Sequence, residues 1–372
     1  MAGIYIHVPF CKQKCTYCDF ASYPKEIGKQ EAYFACLYRE MAGRSEELKN
    51  IFFNTVYFGG GTPSFVKPEY IAGALKQIRK YYDLDKNAEI TLEANPGTLD
   101  EEKVKIYKAA GINRFSLGLQ SGYDEDLKRL NRIHTANDFL LSLSLLKKYG
   151  FENISADILL GLKDQTFEKV KNTVDLALAA GVKHISAYAL TPEVGTPIYT
   201  DYLNGELLSD DEVGEIYDKA YKYLEEKGLF RYEVSNFAVK GYESKHNLNY
   251  WRRGEYIGFG VSASSFIAER RFTNSFKIDE YMNLIILNKK PEISSDYIEE
   301  KDAMFEFIML GLRTAEGINV NKFEVLFKEN FSKKYEKALK KNEKCLSLSD
   351  GYLKIKDEYL YVQNHIIMDF ME

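Results

Sequence analysis

A short β-branched or aromatic run followed by a longer amphipathic stretch recurs between residue 4 and about residue 190. Parallel strands need long crossovers, so six such units predict a parallel sheet, either doubly wound or an open barrel. Helices are predicted near 29–48, 67–82, 100–110, 123–148 and 166–180. The strands are predicted at Ile4–Val8, Thr55–Phe58, Glu89–Glu93, Arg114–Leu119, Ser155–Leu160 and His184–Ala189.

The rhythm breaks after Pro192, which predicts two domains, 1–205 and 206–372. The second is expected to be smaller, mixed and mainly helical. It begins with a helix near 209–227, followed by a less regular stretch at 231–273 and a helical region at 277–340. Asp350-Gly351 predicts a hairpin within 345–362, because this dipeptide favours tight turns between strands. A short helix is expected at the end of the chain.

Composition excludes several classes of function. The net charge of −5 provides no basic field, so nucleic acid is not expected as a partner. No apolar run approaches the roughly 18 residues of a membrane span, and the first residues lack the order of a signal peptide. Three of the five cysteines fall within eight residues, unlike a secreted disulfide framework. A cytoplasmic location is therefore predicted.

The crowded cysteines are Cys11, Cys15 and Cys18, directly after the first strand. Thiolates hold iron–sulfur clusters, and short spacings let one loop wrap a cubane. Three ligands leave one iron of a [4Fe–4S] cluster open to a chelating amine and carboxylate. The alternatives are three unrelated thiols or a structural zinc site, although zinc prefers four closed ligands and only His7, awkwardly placed on a strand, lies near. Cys36 and Cys345 are predicted to be core residues.

The C-x3-C-x2-C loop, with Tyr17 before its last cysteine, resembles the signature of the radical SAM superfamily. The resemblance implies an incomplete (β/α)6 TIM-like barrel with the cluster loop after the first strand. It also implies that S-adenosylmethionine (SAM) binds at the open iron and is cleaved reductively to a 5′-deoxyadenosyl radical.

Polar residues near the carboxyl ends of the other strands predict a ligand site at one mouth of the sheet. A glycine run, Gly59–Gly61, follows the second strand, and such a run lets backbone approach a ligand. Glu93 and Gln120 end the third and fourth strands, and Asp157 lies inside the apolar fifth strand. A charge there is costly unless it is paired or used. The alternative is an ordinary salt bridge of Arg132 with Glu93 or Asp157.

Three runs, Tyr5–Cys11, Gly59–Pro63 and Glu93–Pro96, resemble those of the oxygen-independent coproporphyrinogen III oxidases and their relatives, and the likeness extends over nearly the whole chain. In that branch Arg132 would suit a carboxylate, which its guanidinium can bind as a two-pronged fork. The resemblance implies that SAM is bound by Tyr5, Tyr17, Gly60, Gly61, Thr62, Glu93, Gln120, Arg132 and Asp157.

Three features separate the relatives from the oxidase. Phe20 stands where the oxidase carries a further cysteine, and only a short segment precedes the first strand. The hexapeptide His246–Trp251 resembles the H-N-x-x-Y-W motif of the HemW family of heme chaperones. There His246 is expected to ligate heme, while Tyr250 and Trp251 pack on the porphyrin. Arg252 and Arg253 follow the motif and are expected to pair with propionates. The alternative is a histidine and tryptophan that anchor the second domain on the barrel.

Three functions therefore compete, and whether the chain is an enzyme stays open. The first is a heme chaperone that needs its cluster, forms a homodimer and delivers heme to acceptor haemoproteins, such as respiratory enzymes, which would place it peripherally at the membrane. The second is a coproporphyrinogen III oxidase that abstracts hydrogen from propionates, releases CO2 and makes vinyl groups. The third is a zinc-stabilised barrel that binds ligands without redox chemistry.

Overall fold

A computed structural model describes residues 2–371, so Met1 and Glu372, at the outer ends of the two predicted domains, lie outside it. All six predicted strands are present, each within a longer or equal observed strand. The strands are β1 (Ala2–Val8), β2 (Phe52–Gly60), β3 (Asp83–Ala94), β4 (Arg114–Gln120), β5 (Ile154–Leu160), β6 (His184–Ala189), β7 (Phe230–Glu233), β8 (Asn236–Ala238), β9 (Tyr256–Phe259), β10 (Ser264–Ile267), β11 (Arg270–Asn274), β12 (Glu292–Tyr297), β13 (Ile318–Asn319), β14 (Leu346–Ser349) and β15 (Tyr352–Ile355).

Helices follow the predicted crossovers closely. Short 3-10 helices occupy Pro24–Lys29, Pro63–Phe65 and Asp357–Tyr359. The α-helices are α1 (Gln30–Gly43), α2 (Pro68–Tyr81), α3 (Glu101–Ala110), α4 (Asp124–Arg129), α5 (Ala136–Lys148), α6 (Phe167–Ala179), α7 (Pro197–Leu203), α8 (Asp210–Glu226), α9 (Lys245–Trp251), α10 (Ile278–Ile286), α11 (Glu300–Gly311), α12 (Val320–Phe327), α13 (Phe331–Lys334), α14 (Glu336–Lys341) and α15 (Gln363–Met368).

Strands β1 to β6 lie side by side in chain order, and each neighbouring pair is parallel. Their residues are mostly buried, as expected for strands covered on both faces. This run forms the parallel core of the predicted barrel-like fold. The fold class predicted from the sequence is confirmed, and the carboxyl ends of all six strands meet at one edge.

The helix predicted at 123–148 is in fact two helices, α4 and α5. Asn131 adopts a left-handed φ of +57° just after α4. Thr135 then starts α5 with a capping box, in which its hydroxyl accepts the Asp138 N–H and the Asp138 carboxylate accepts the Thr135 N–H. The break places Arg132 in a turn at the mouth of the sheet.

Within residues 2–371 the main sheet has twelve strands, because later segments extend it at both edges. Beyond β6 lie β8 and β7, and beyond β1 lie β9 to β12. Strand β9 is parallel to β1, with Gly3 opposite Tyr256. The sequence predicted only irregular structure at 231–273. Its β10–β11 hairpin turns at Ala268 and Glu269, both at positive φ, and neither residue type marks such a turn in a sequence.

A second hydrophobic core gathers residues between Ala303 and Phe370 beside a small sheet ordered β13-β15-β14. The predicted hairpin at Asp350-Gly351 and the final helix are confirmed. The helical region predicted at 277–340 also contains β12 and β13, which the prediction missed. The main sheet continues through residue 297, past the boundary predicted near 205, so the division into domains stays a prediction. Among residues 2–371, no helix has the length and hydropathy that a membrane span needs.

Candidate functional site

The cysteine loop leaves β1 at the mouth of the sheet. Cys11 is 7% exposed, while Cys15 and Cys18 are half-buried. Backbone bonds fix the loop: the Cys18 N–H donates to the Cys15 carbonyl at 3.4 Å, and the Thr16 N–H donates to the Leu130 carbonyl at 3.1 Å. The loop is therefore held against the turn between α4 and α5.

Hydrogen-bond donors reach the sulfurs of all three cysteines, that of Cys18 from the backbone of Phe20. The Thr62 hydroxyl lies 3.4 Å from the Cys11 sulfur, and the Arg132 guanidinium lies 3.6 Å from the Cys15 sulfur. Burial raises the pKa of the Cys11 and Cys18 thiols, so a free thiolate is disfavoured at both sites. Binding to a metal cluster would stabilise the thiolate form, which is the form that ligates.

Gly61 makes the close approach between β2 and the cysteine loop possible. Its N–H donates to the Val8 carbonyl, and the Thr62 N–H donates to the Phe10 carbonyl, each at 2.9 Å. A Cβ on Gly61 would lie 2.9 Å from the Phe10 oxygen and 3.0 Å from the Cys11 sulfur. Only glycine fits here without displacing the loop.

The loop borders a cavity of about 430 Å³, here called the cluster cavity. No group of three or more histidine, cysteine, aspartate or glutamate side chains within residues 2–371 is arranged to hold a metal ion. A cubane binds each thiolate through a different iron atom, so its ligands need not converge on one point. The cavity brings together all the predicted cluster and SAM residues except Tyr5: Cys11, Cys15, Cys18, Tyr17, Gly60, Gly61, Thr62, Glu93, Gln120, Arg132 and Asp157.

Glu93 lies at the end of β3 and is partly buried. Its carboxylate accepts hydrogen bonds from the Tyr57 hydroxyl at 2.8 Å and from the Gly60 N–H at 3.2 Å. Burial raises the pKa of Glu93 to about 7, and the charge of Asp157 adds to this rise, whereas the two hydrogen bonds oppose it. The carboxylate therefore carries only part of its charge at neutral pH until a cation joins it.

Arg132 does not form the salt bridge that the sequence left open. Its guanidinium donates to the Asn95 side-chain oxygen and to the Gly118 carbonyl, each at 2.8 Å, as well as to the Cys15 sulfur. A Cβ on Gly118 would lie 2.7 Å from this guanidinium. These contacts hold a fixed positive charge beside the cysteine loop without a carboxylate partner, which suits recognition of an anionic ligand group.

Asp157 and Gln120 complete the wall of the cluster cavity. The Ser116 hydroxyl donates to both Asp157 oxygens, at 2.9 and 3.2 Å, and the Ser155 hydroxyl lies 3.4 Å from one of them. Burial raises the pKa of Asp157. Gln120 adopts a left-handed φ of +68° at the end of β4. Such backbone strain is uncommon outside glycine and is often found at functional sites.

A second cavity of about 620 Å³ adjoins the cluster cavity, and Phe20, Gly60 and Glu93 line both. Tyr5 lies in this second cavity rather than in the cluster cavity. Phe20 is 63% exposed and lies at the border of the two cavities. Helix α11 forms the far side of the second cavity, so both parts of the chain build it.

His246 lies in neither cavity. Its ring is 1% exposed, with Nδ1 2.8 Å from the Thr55 hydroxyl oxygen and Nε2 2.9 Å from the Tyr250 hydroxyl oxygen. It also stacks on Tyr57, with ring centroids 5.1 Å apart. Burial lowers the pKa of His246 to about 3, which keeps the imidazole neutral. Both ring nitrogens are engaged, as in the anchoring alternative, so heme ligation by His246 stays a prediction that requires one of these bonds to break.

The two aromatic residues that end the hexapeptide line different cavities. Tyr250 lines the second cavity, whereas Trp251 lines a smaller one of about 130 Å³ beside α11. Arg252 also lines the smaller cavity and pairs with Glu316 at 3.0 Å. Arg253 lines the second cavity. Tyr250 and Trp251, which the motif groups together, therefore line different cavities.

Some residues that shape the site were not identified from the sequence. Tyr57 and Ser116 hold the two buried carboxylates, Asn95 holds Arg132, and Tyr188 lines the cluster cavity. Asn95 stands directly after β3, and a polar residue at that end of a strand was the available signal. Tyr57 and Ser116 lie within mostly buried strands, where a hydroxyl gives little indication of its partner, and Tyr188 lies at the exposed end of β6.

Comparison with known proteins identifies the family. Residues 5–177 match the model of the radical SAM superfamily, and residues 298–364 match the HemN C-terminal domain. The heme chaperone HemW of Lactococcus lactis is 36% identical over 337 residues, covering 90% of this chain and 87% of that protein. This chain belongs to the HemW family. HemW of Bacillus subtilis is 33% identical over 342 residues, covering 91% of this chain and 88% of that protein.

This HemW-family chain shares its fold with a solved structure, that of a coproporphyrinogen III oxidase. The structure of coproporphyrinogen III oxidase (HemN) from Escherichia coli superimposes with a TM-score of 0.87, covering 100% of this chain and 90% of that one. The two sequences are only 18% identical, so this likeness shows the fold alone. The HemW of Escherichia coli is 33% identical, covering 85% of this chain and 83% of that protein.

The raised pKa of Glu93 has a measurable consequence for stability. The native state holds the Glu93 proton up to a pH of about 7, whereas the unfolded chain releases it near 4.5. The free energy of unfolding should therefore fall as the pH rises between these values, by about 3 kcal/mol from this group. Glu93→Gln should remove that fall, as measured by urea unfolding at pH 5 and pH 8.

The matched control for this experiment is Glu329→Gln, at an exposed carboxylate far from both cavities. This variant should keep the pH dependence of the wild-type protein. Equal slopes in wild type and Glu93→Gln would contradict the buried, proton-holding environment of Glu93.

Proposed function

We propose that this protein holds a [4Fe–4S] cluster on Cys11, Cys15 and Cys18, binds SAM beside it, and carries heme to acceptor haemoproteins. The observation that supports the proposal most is that the three thiols open onto one cavity with the Glu93 carboxylate and with the Arg132 guanidinium, which has no carboxylate partner. A SAM molecule carries the complementary ammonium and carboxylate groups. The HemW relatives, named heme chaperones, supply the heme part of the proposal.

The donor set suits these groups chemically. When bound, the cluster with its open iron supplies a site for chelation and electron transfer. Glu93 would accept the ligand ammonium, and Arg132 would bind a carboxylate with its fork of N–H donors. Gly60 and Gly61 allow the backbone of β2 to approach both the ligand and the cysteine loop. Tyr17, Thr62, Gln120 and Asp157 complete the proposed SAM site, with Tyr5 at its border with the second cavity.

Heme is the proposed cargo. Delivery to acceptor haemoproteins, including respiratory enzymes, would bring the protein to the membrane surface from the cytoplasm, and we propose a homodimer for the cluster-bearing form. Nucleic acid is not a proposed partner. Tyr250 and Trp251 are retained as proposed heme contacts. His246 is retained as a proposed ligand, on the condition that one of its two hydrogen bonds is exchanged for a bond to the heme iron.

A heme titration with and without the cluster tests the proposal. Protein reconstituted without oxygen should show broad iron–sulfur absorbance and, on addition of heme, a Soret band that saturates at a fixed ratio per chain. A colourless protein that contains zinc would contradict the cluster, and the absence of a saturable Soret band would contradict heme carriage.

The oxidase remains the alternative function and has its own test. Anaerobic incubation with coproporphyrinogen III, SAM and a reductant should yield no protoporphyrinogen IX. Phe20, which stands where the oxidase has a further cysteine, is the residue that argues against turnover. Detection of the product would replace the chaperone proposal with the oxidase.

A further inference from the structure

Two arginines lie at the end of the second cavity that α11 borders. Arg253 and Arg271 both line the cavity, and their guanidinium groups lie 4.7 and 5.5 Å from the ring centroid of Phe266. Tyr256 lies beside the same ring, with centroids 6.3 Å apart. The cavity therefore combines an aromatic wall with two cationic forks, which suits a flat ligand that carries carboxylates.

Glu306 on α11 forms an ion pair with each of the two arginines. Its carboxylate accepts a hydrogen bond from Arg253 Nε at 2.9 Å and one from Arg271 Nη1 at 2.7 Å. One carboxylate thus neutralises half of the charge of the pair and fixes the direction of both guanidinium groups. Arg271 is only half-buried and has five N–H donors, so bonding to Glu306 and Tyr256 leaves it capacity for another acceptor.

Arg253 has a second carboxylate partner, Glu269, which is much more exposed than Glu306. The two terminal nitrogens of Arg253 donate to the two oxygens of Glu269, at 2.8 and 2.5 Å. This is the two-pronged geometry in which arginine binds a carboxylate ligand. The Arg253 side chain is 8% exposed, whereas Glu269 is 53% exposed on the tight β10–β11 turn. An exposed carboxylate contributes little to an ion pair and is readily exchanged for another.

We propose that Arg253 and Arg271 bind the carboxylates of the tetrapyrrole cargo in the second cavity, and that Glu269 occupies the carboxylate position on Arg253 until the cargo displaces it. The inference rests on the proposed heme function and adds a binding site that does not depend on His246. Displacement of Glu269 leaves two guanidinium groups and the Glu306 carboxylate, a net positive charge facing an anionic ligand. The opposite end of the cavity meets Phe20 and Glu93 at the border of the cluster cavity.

The test compares three variants of the reconstituted protein by titration with heme. Arg271→Met removes a cargo contact and should weaken binding about tenfold, the range for a charged hydrogen bond. Glu269→Gln removes the internal competitor and should strengthen binding severalfold. Arg39→Met is the matched control, because Arg39 is exposed, donates to the Asn288 side-chain oxygen at 3.0 Å and does not line the second cavity; the affinity of this variant for heme should equal that of the wild-type protein.

A second ligand makes the test specific for carboxylates. Heme dimethyl ester lacks both carboxylates and should bind the wild-type protein about tenfold or more weakly than heme, and Arg271→Met should reduce this preference. Equal binding of heme and its ester, with no effect of Arg271→Met or Glu269→Gln, would overturn the inference. Saturable binding of heme in the same titration would still uphold the proposed function. Absence of any saturable binding by the wild-type protein would overturn both.

Discussion

Gly61→Ala should cause loss of most of the cluster from a protein that keeps all of its cysteines. The new Cβ would lie 2.9 Å from the Phe10 carbonyl oxygen and 3.0 Å from the Cys11 sulfur, and the first of these is backbone that cannot rotate away. The segment from Phe10 to Cys11 must therefore move, which disrupts the backbone bond from the Thr62 N–H to the Phe10 carbonyl. Iron content after anaerobic reconstitution should fall severalfold, and the free energy of unfolding should fall by about 1–3 kcal/mol.

Gly28→Ala is the matched control for this variant. Gly28 lies in the same amino-terminal region, and a Cβ there would meet no atom within 4 Å. Its iron content and stability should equal those of the wild-type protein. Wild-type iron content in Gly61→Ala would show that the cluster loop does not depend on this contact with β2.

His246→Ala should destabilise the protein even when no heme is present. The substitution leaves the Thr55 and Tyr250 hydroxyls without their partner, removes a ring that stacks on Tyr57, and opens a cavity between α9 and β2. Loss of a buried side chain together with unpaired polar groups costs about 2–4 kcal/mol. Urea unfolding of the heme-free, cluster-free protein measures this effect directly.

The control for the histidine variant is His365→Ala, at an exposed position on α15. Its free energy of unfolding should change by less than about 0.5 kcal/mol. If His246→Ala unfolds like the wild-type protein but loses its Soret band, the ring is a heme ligand rather than an anchor. If both variants are destabilised equally, the buried position of His246 is contradicted.

The barrel-like core was predictable because its strands are apolar on both faces and its helices are long and amphipathic. Both patterns lie within a single βα unit, so they can be recognised in the sequence without knowledge of the tertiary structure. Strands β7 to β12 were missed for the opposite reason. They contain three to six residues each, alternate poorly, and gain their order from the edges of a sheet that already exists.

The cluster cavity was predictable from position, and the second cavity was not. Glu93, Gln120 and Asp157 follow from the rule that parallel strands present their carboxyl ends at one edge. Arg271 and Glu306 lie on β11 and α11, and only the tertiary fold brings them to Arg253. The motif raises a different difficulty, because its three predicted heme residues do not share one cavity. His246 is buried in neither cavity, Tyr250 lines the second cavity, and Trp251 lines the smaller cavity beside α11.

Iron and acid-labile sulfide, measured per chain after anaerobic reconstitution, test the central claim most directly. The account predicts about four of each in the wild-type protein and in Cys36→Ala with Cys345→Ala, the stoichiometry of one cubane. It predicts a severalfold loss in Cys11→Ala, Cys15→Ala or Cys18→Ala. Negligible iron and sulfide in the wild-type protein, or equal loss from the Cys36 and Cys345 substitutions, would contradict it.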